Sequence, residues 1–214
     1  MNLLVTAGAT REPIDAVRFL SNVSTGATGA ALADAFAAAG HAVTLLRGEG
    51  AASTKTVRDE EIFSSAQDLA TRLRTRLAGG NFDAVVMTAA VSDFRPEASA
   101  AGKISSRTEQ LTLRLVRNPK ILPQLKSWAP RPLRVIGFKL TVGADAGARR
   151  SAVAALFAAG GVDAVAYNDL AEIRAAPRAE HPFWLYRTPD ALPLKIVGAS
   201  ALAVAIASEM KGAA

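Results

Sequence analysis

Cysteine is absent from the sequence, and histidine occurs only twice, as His41 and His181. Without cysteine there is no disulfide framework, no thiolate metal site and no thiol nucleophile. Two histidines far apart in the chain argue against a histidine-rich metal centre. No stretch approaches the ~20 apolar residues of a membrane span. The opening Met1–Thr6 has no basic leader and reads as a first strand, so a cytoplasmic protein away from membranes is expected. Aromatics make up 6% of the chain, too few for a row of base-stacking rings, and the residues behind its net charge of +6 are scattered. The expected partner is therefore an anionic small molecule rather than a nucleic-acid polymer.

What is present is globular. Half of the 214 residues are hydrophobic, enough for one sizeable core. With no internal repeat and no linker, one domain over 1–214 is expected. Short apolar runs at Leu3–Thr6, Val43–Leu46, Phe82–Thr88, Leu133–Phe138 and Asp163–Tyr167 predict strands. Helices are predicted at Gly26–Ala39, Gln67–Leu77 (with Leu69, Leu73 and Leu77 at spacing four), Ala148–Ala158 and Ser200–Met210. This alternation predicts an α/β, Rossmann-like fold, with a mostly parallel central sheet and helices on both faces. Period-two patterns at Gln110–Arg117 and His181–Arg187 predict an added β-ribbon that decorates the sheet or meets another subunit.

Ligands of open α/β sheets bind beyond the carboxyl ends of the strands. Thr6-Ala7-Gly8-Ala9-Thr10 lies there, and its small residues let backbone N–H groups approach an anion, next to the helix that starts near Gly26. A structural turn would look the same. About fifteen residues separate Thr10 from Gly26, including Arg11, Glu12, Asp15, Arg18 and Asn22. A dinucleotide fingerprint has no such insert, and no lysine follows in P-loop spacing. A polar loop of this kind on a rigid scaffold is a candidate site. Asp93, in Ala89–Pro96, sits after a strand, where an Asx turn is the plain alternative. Lys103-Ile104-Ser105-Ser106 falls in a polar stretch that reads as a flexible loop, and a surface lysine is its plain alternative. Trp128 and Trp184 read as packing residues.

Taken together, the Val5–Asp15 and Arg18–Gly26 strings, Ala89–Pro96, Lys103–Ser106, Asn118-Pro119, Gly137–Leu140 and Asn168-Asp169 occur in an order that resembles phosphopantothenoylcysteine synthetase, across nearly the whole chain. Gly137–Leu140 is similar to the stand-alone variant. The resemblance implies a ligase of coenzyme A biosynthesis. The carboxylate of 4′-phosphopantothenate attacks the α-phosphate of CTP or ATP, and the cysteine amine then displaces the nucleotide from the acyl-nucleotide. It further implies catalytic roles for Asn22, Lys103 and Arg18. Nucleotide contacts are implied for Gly8, Ala9, Ser24, Gly26, Met87, Thr88, Ala89, Asp93, Arg117, Asn118, Pro119 and Phe138. Mg²⁺ would arrive with the nucleotide rather than on protein ligands, FMN is not expected, and a homodimer and a separate flavoprotein decarboxylase are implied partners.

The chain departs from the family pattern at several points. Ala9 replaces a usual glycine, and Ala27 stands where many members carry lysine. Leu156 and Gly160 align with two lysines that bind triphosphate in many bacterial members. Arg149, Arg150 or Lys139 are the candidates to replace that charge. A repurposed nucleotide-binding relative is the main rival. A nicotinamide-dependent reductase is disfavoured, since neither Tyr167 nor Tyr186 has a lysine four residues on.

Overall fold

The computed structural model describes residues 1–107 and 109–211. Its first half holds β1 (Asn2–Ala7), β2 (Arg11–Pro13), β3 (Phe19–Ser21), α1 (Ala27–Ala38), β4 (Ala42–Gly48), β5 (Asp59–Phe63), α2 (Ala66–Gly79) and β6 (Ala84–Met87). There follow β7 (Phe94–Pro96), β8 (Leu115–Arg117), α3 (Leu125–Trp128), β9 (Arg134–Thr141), α4 (Ala146–Ala158) and β10 (Ala164–Asp169). The last elements are α5 (Leu170–Ala175), β11 (Pro182–Tyr186), β12 (Leu194–Val197) and α6 (Ala199–Lys211).

Eight strands form one sheet in the order β12-β11-β10-β9-β6-β1-β4-β5. The six from β10 to β5 run parallel, and β11 and β12 add antiparallel at one side. The chain starts at β1, builds outward through β4 and β5, then returns to the other flank at β6. The strand order therefore reverses between β1 and β6, the place where a doubly wound sheet leaves a crevice for a ligand.

Alternation along the parallel strands sends side chains to two cores. Leu3, Val5, Ala7, Leu45 and Val86 pack on one face with Leu32, Ala33 and Phe36 of α1 and Leu202 and Ile206 of α6. Leu4, Leu46, Val85 and Val135 pack on the other with Leu69, Leu73 and Leu77 of α2. Each of those three leucines is essentially inaccessible to solvent, and burying one is worth about 1.5–3 kcal/mol. Ser65 caps α2 by accepting from the Asp68 amide at 3.2 Å, and Asp145 caps α4 by accepting from the Ala148 amide at 2.8 Å. Helix α1 has no side-chain cap: Gly26 stands at its N-cap in the left-handed region, φ 72°.

Three expectations need correction. Only Leu115–Arg117 of the predicted 110–117 ribbon is a strand, and it pairs with Phe94–Pro96 rather than with itself. The His181–Arg187 pattern is no decoration: Pro182–Tyr186 hydrogen-bonds along β10 inside the main sheet, where three of its five residues are buried. The predicted strand at 82–88 is shorter, Ala84–Met87, so Thr88 already belongs to the crevice loop. Two sheet strands, β5 and β12, escaped notice because Asp59-Glu60-Glu61 and Lys195 break the apolar pattern at the sheet's two edges.

One asymmetry of register shapes the crevice. β6 ends at Met87, opposite Gly137, whereas β9 runs on to Thr141 beside Asp169 of β10. Residues 138–141 thus form a step above the end of β6, paired on one flank only.

Candidate active site

The loops after β1 and β6 are stitched together across the switch point. The Ala90 amide donates to Gly8 O at 2.8 Å, and the Thr10 amide donates to Ala90 O at 3.2 Å. The buried Thr10 hydroxyl accepts from the Ser92 amide at 3.0 Å, while Thr6 Oγ1 accepts from the Ala89 amide at 3.1 Å. Gly8 has φ +83°, and a Cβ there would come within 2.5 Å of the Ala51 Cβ, so only glycine suits the turn. Gly29 on α1 is as confined: a Cβ would lie 2.6 Å from the Ala7 Cβ and 2.9 Å from Thr6 O. Helix α1 thus brings its N-terminus, and the positive end of its dipole, down onto the first strand.

The long insert after Thr10 is not a plain loop. Arg11–Pro13 and Phe19–Ser21 pair as a small antiparallel ribbon. Its tip is organised by Asp15, which is buried. One carboxylate oxygen accepts from the Val17 and Arg18 amides at 2.9 and 2.8 Å. The other accepts from the Arg18 guanidinium at 2.8 Å and from the Ile104 amide at 3.1 Å. These donors, with the Val17 amide foremost, hold the Asp15 carboxyl below the usual carboxylate range.

Through Asp15 the structure brings two distant strings together. Ala100 N donates to Ile14 O at 3.1 Å, and Ile104 is tied to Asp15 and, at 3.4 Å, to Arg18. Exposed Lys103 stands between these two anchors. The segment is irregular, as expected, but it is docked at both ends. Since the depressed Asp15 carboxyl stays ionised above about pH 4, the latch should hold there and be lost as pH falls through the folded-state value. Asp15→Ala should speed exchange of the Ile104 amide by about tenfold or more at pH 7, and the wild type should show that gain only below about pH 4. Amide-resolved hydrogen exchange measures both.

Asn22 is exposed at the lip of the crevice, its Nδ2 3.4 Å from Val91 O. Ser24 Oγ accepts from the Gly26 amide at 3.4 Å. On the far side, Asn118 is buried: its amide donates to Asp93 O at 2.9 Å and its Nδ2 to Ser92 O at 3.0 Å. Asp93 forms an ion pair with Lys120 at 2.5 Å, so its side chain is not spent on an Asx turn. Arg117 lies over the Phe94 ring, 5.6 Å from its centroid, and Pro119 is exposed beside it.

The crevice therefore gathers Gly8, Asn22, Ala89, Asp93 and Asn118 through the contacts above, Ala9 through its bridge to Ala90 and Thr88 through its bond to Thr6 O, with Pro119 next to Asn118, while Lys103 is held beside the Arg18 ribbon. Met87 is expected to meet the nucleotide through its backbone and Phe138 to complete the pocket. The Met87 sulfur accepts from Thr6 Oγ1 at 3.3 Å inside the core, and the Phe138 ring packs against the α1–α6 cluster. Met87 is thus left with its backbone, while the Phe138 ring is half-buried. Thr10, Ser92 and the buried Glu12, which accepts from the Ala66 amide at 2.9 Å, were missed as organisers of the site. Asp15, by contrast, has a readable local signal, an Asx turn with its amide donors two and three residues on.

Arg149 is withdrawn from its expected role. Its guanidinium stacks 4.4 Å from the Trp184 centroid and 5.0 Å from that of Tyr167, and it pairs with Glu172 at 2.9 Å. It is a packing element of α4, leaving Arg150 and Lys139 as the candidates. Leu156 belongs to the apolar cluster of Val153, Val165 and Tyr167. Gly160 lies beyond the end of α4 with φ +80°, a conformation that disfavours a lysine there.

Asp169 is a structural hub. It accepts from Thr141 Oγ1 at 2.7 Å and from the Gly143, Ala144 and Ala171 amides at 2.8–3.0 Å, which drives its carboxyl far below the usual range, the Ala144 amide foremost. It ties the end of β9 to the end of β10. Among the described residues no three His, Cys, Asp or Glu side chains gather as a metal-ligand set, and none of the helices is long and apolar enough to cross a membrane.

Comparison with known proteins agrees with this layout. Residues 1–210 match the family described as the DNA/pantothenate metabolism flavoprotein C-terminal domain. A curated relative, the coenzyme A biosynthesis bifunctional protein CoaBC of Thermococcus kodakarensis, is 35% identical over 168 residues, 78% of this chain and 41% of the relative. The chain thus spans about two-fifths of that relative's length. The crystal structure of a DNA/pantothenate metabolism flavoprotein from Streptococcus pneumoniae superposes with a TM-score of 0.84, covering 99% of this chain and 98% of the other at 23% identity. A Cab2 mutant in complex with phosphopantothenate-cysteine superposes at 0.78, covering 98% and 86% at 19% identity. These likenesses establish the Rossmann-like fold.

Proposed function

Because the chain belongs to the DNA/pantothenate metabolism flavoprotein C-terminal domain family, we propose that it is a phosphopantothenate–cysteine ligase, joining 4′-phosphopantothenate to L-cysteine at the expense of CTP or ATP. The observation that carries this reading is the joint placement of the Arg18–Asn22 and Lys103 strings on one crevice through Asp15. The Cab2 neighbour, which binds phosphopantothenate-cysteine, and the CoaBC relative support it.

A carboxylate resists attack by an amine until one oxygen becomes a good leaving group. Transfer to the α-phosphate of the nucleotide makes it one and releases pyrophosphate. The cysteine amine then adds to the acyl carbon, and the nucleoside monophosphate leaves. Both steps concentrate negative charge, so the site must supply donors and cations where that charge develops. In our reading Lys103 neutralises developing phosphate charge and the Asn22 amide donates to the acyl-nucleotide. Arg18, one nitrogen of which is held by Asp15 and Ile104 O, orients the pantothenate end.

The Gly8–Ala9 turn, Ser24, Gly26 and the backbones of Met87, Thr88, Ala89 and Phe138 receive the nucleotide, with Asp93 and Arg117–Pro119 opposite. Asp15 has both oxygens occupied by donors, so Mg²⁺ would come with the triphosphate, as a hard ion that keeps most of its waters. Phe19, Phe94, Leu111 and Leu115 are all exposed on or near the two small ribbons, which supports a homodimer joined at this end of the sheet. A flavoprotein decarboxylase would take the product onward.

The test is pyrophosphate release with 4′-phosphopantothenate, cysteine and Mg²⁺, run separately with CTP and ATP. Release dependent on phosphopantothenate, with amide product, is expected. Nucleotide binding without release would favour a repurposed binder instead.

A further inference from the structure

A cavity of about 340 Å³ opens at the end of the sheet opposite the crevice. There β9 begins at Arg134, β10 begins at Ala164 and α6 closes at Lys211. We propose that this cavity is a second ligand site, one that takes a free α-amino acid with an aliphatic side chain. It lies apart from the crevice where the proposed reaction would take its cysteine.

Arg134 supplies the first argument. Its Nη1 donates to Asp163 Oδ1 at 3.4 Å. Asp163 does not depend on this long contact, because it accepts from Lys126 Nζ and from the Val135 amide at 2.8 Å each. Among the described residues Nε and Nη2 of Arg134 donate to nothing in the protein. Those two N–H groups share one edge of the guanidinium, the fork that grips both oxygens of a carboxylate.

Glu209 supplies the complement. Its Oε1 accepts from Arg187 Nε at 2.8 Å, and among the described residues its Oε2 accepts from nothing. The side chain is largely buried, 20% exposed, so an unspent oxygen there gains from a charged donor. Glu209 also stands in the last turn of α6, at the negative end of the helix dipole, which favours a cation such as an ammonium. The cavity therefore offers a carboxylate a fork and an ammonium an acceptor. A zwitterion answers both. A plain anion would meet Glu209 without compensation, and a plain amine would meet Arg134.

The floor decides the rest. Ile136 and Ala164 belong to the core cluster, Met210 packs against it, and all three line the cavity. That surface suits an aliphatic side chain. The volume lies at the lower end of the ~300–1,000 Å³ of small-ligand pockets, in keeping with a compact ligand.

The test titrates the full chain with L-leucine, with isocaproate, which lacks the ammonium, and with isoamylamine, which lacks the carboxylate. L-Leucine should bind with a Kd of about 1 mM or tighter, and each half-analogue about tenfold or more weaker. Arg134→Gln removes the fork and leaves Asp163 its two shorter donors. Glu209→Gln keeps an acceptor and removes the charge. Each should weaken L-leucine about tenfold or more. Ser208→Phe, at an exposed position on the cavity wall, should block it as strongly. All three variants should melt like the wild type and release pyrophosphate as it does.

Isocaproate binding as tightly as L-leucine would overturn the amino-acid site and leave a plain anion site. L-Leucine affinity unchanged in Arg134→Gln and Ser208→Phe would overturn it by placing the ligand elsewhere, and so would no binding up to about 10 mM. None of these outcomes touches the ligase reading, which pyrophosphate release decides separately.

Discussion

Asn22→Asp is expected to slow ligation by about a hundredfold or more and to leave pyrophosphate release in the first turnover nearly intact. The reason is the position of the amide. Asn22 is exposed, and among the described residues its side chain makes one hydrogen bond, to Val91 O, which is long, 3.4 Å, so its donor is held in place without being spent. A carboxylate of the same size cannot donate, and it sets a negative charge where an oxyanion must form. The acyl-nucleotide should therefore accumulate, because the second step needs the donor more than the first. Rapid-quench sampling for the acyl-nucleotide and the amide product separates the two steps. Normal turnover, or equal loss of both steps, would remove Asn22 from the role assigned to it.

The second large effect is structural. Gly29→Val should cost about 3 kcal/mol, the upper end of ordinary overpacking, and lower the melting temperature by roughly 6–12 °C for a chain of this size. The new side chain would collide with Ala7 and with the Thr6 carbonyl. Neither can retreat, because both belong to the central strand of the sheet. Relief would require lifting α1 off β1, and with it the helix N-terminus that faces the crevice. Gly79 is the control. A Cβ there meets nothing within 4 Å, so Gly79→Ala should leave the melting temperature unchanged or raise it, by about 0.4–1 kcal/mol of stability. Thermal unfolding of the two variants side by side decides the matter.

The sequence was most legible where one residue type did one job. Leu69, Leu73 and Leu77 announced α2, and the apolar runs announced every parallel strand buried on both faces. Edge strands were harder: Asp59-Glu60-Glu61 looks like a solvated turn until Arg72 and Arg76 are seen to pair with it. The ribbon at Gln110–Arg117 was read too long because Leu111 and Leu113 continue the alternation of Leu115 without pairing as it does with Pro96. Their apolar side chains are largely exposed, and periodicity alone does not reveal a missing partner strand. Within the site, the motif strings located the crevice, but not what holds it. Thr10 with Ser92, Glu12 with Ala66 and Asp15 with Ile104 are contacts between residues far apart in the chain. Arg149 was misassigned for the same reason. A basic residue at the start of a helix gives no local hint that two rings and Glu172 await it.

The step formed by residues 138–141 bears on how variants of this protein should be read. Beyond Met87 the flank of β9 that faces β6 has no strand beside it among the described residues, so alternate main-chain amides and carbonyls there are open to whatever enters. A ligand that lies along this ledge takes the place of the absent strand and is gripped by atoms every residue possesses. Such recognition is blind to side-chain truncation. An alanine scan along the ledge would pass over it in silence, while a single proline, or an ester in place of one amide, would expose it.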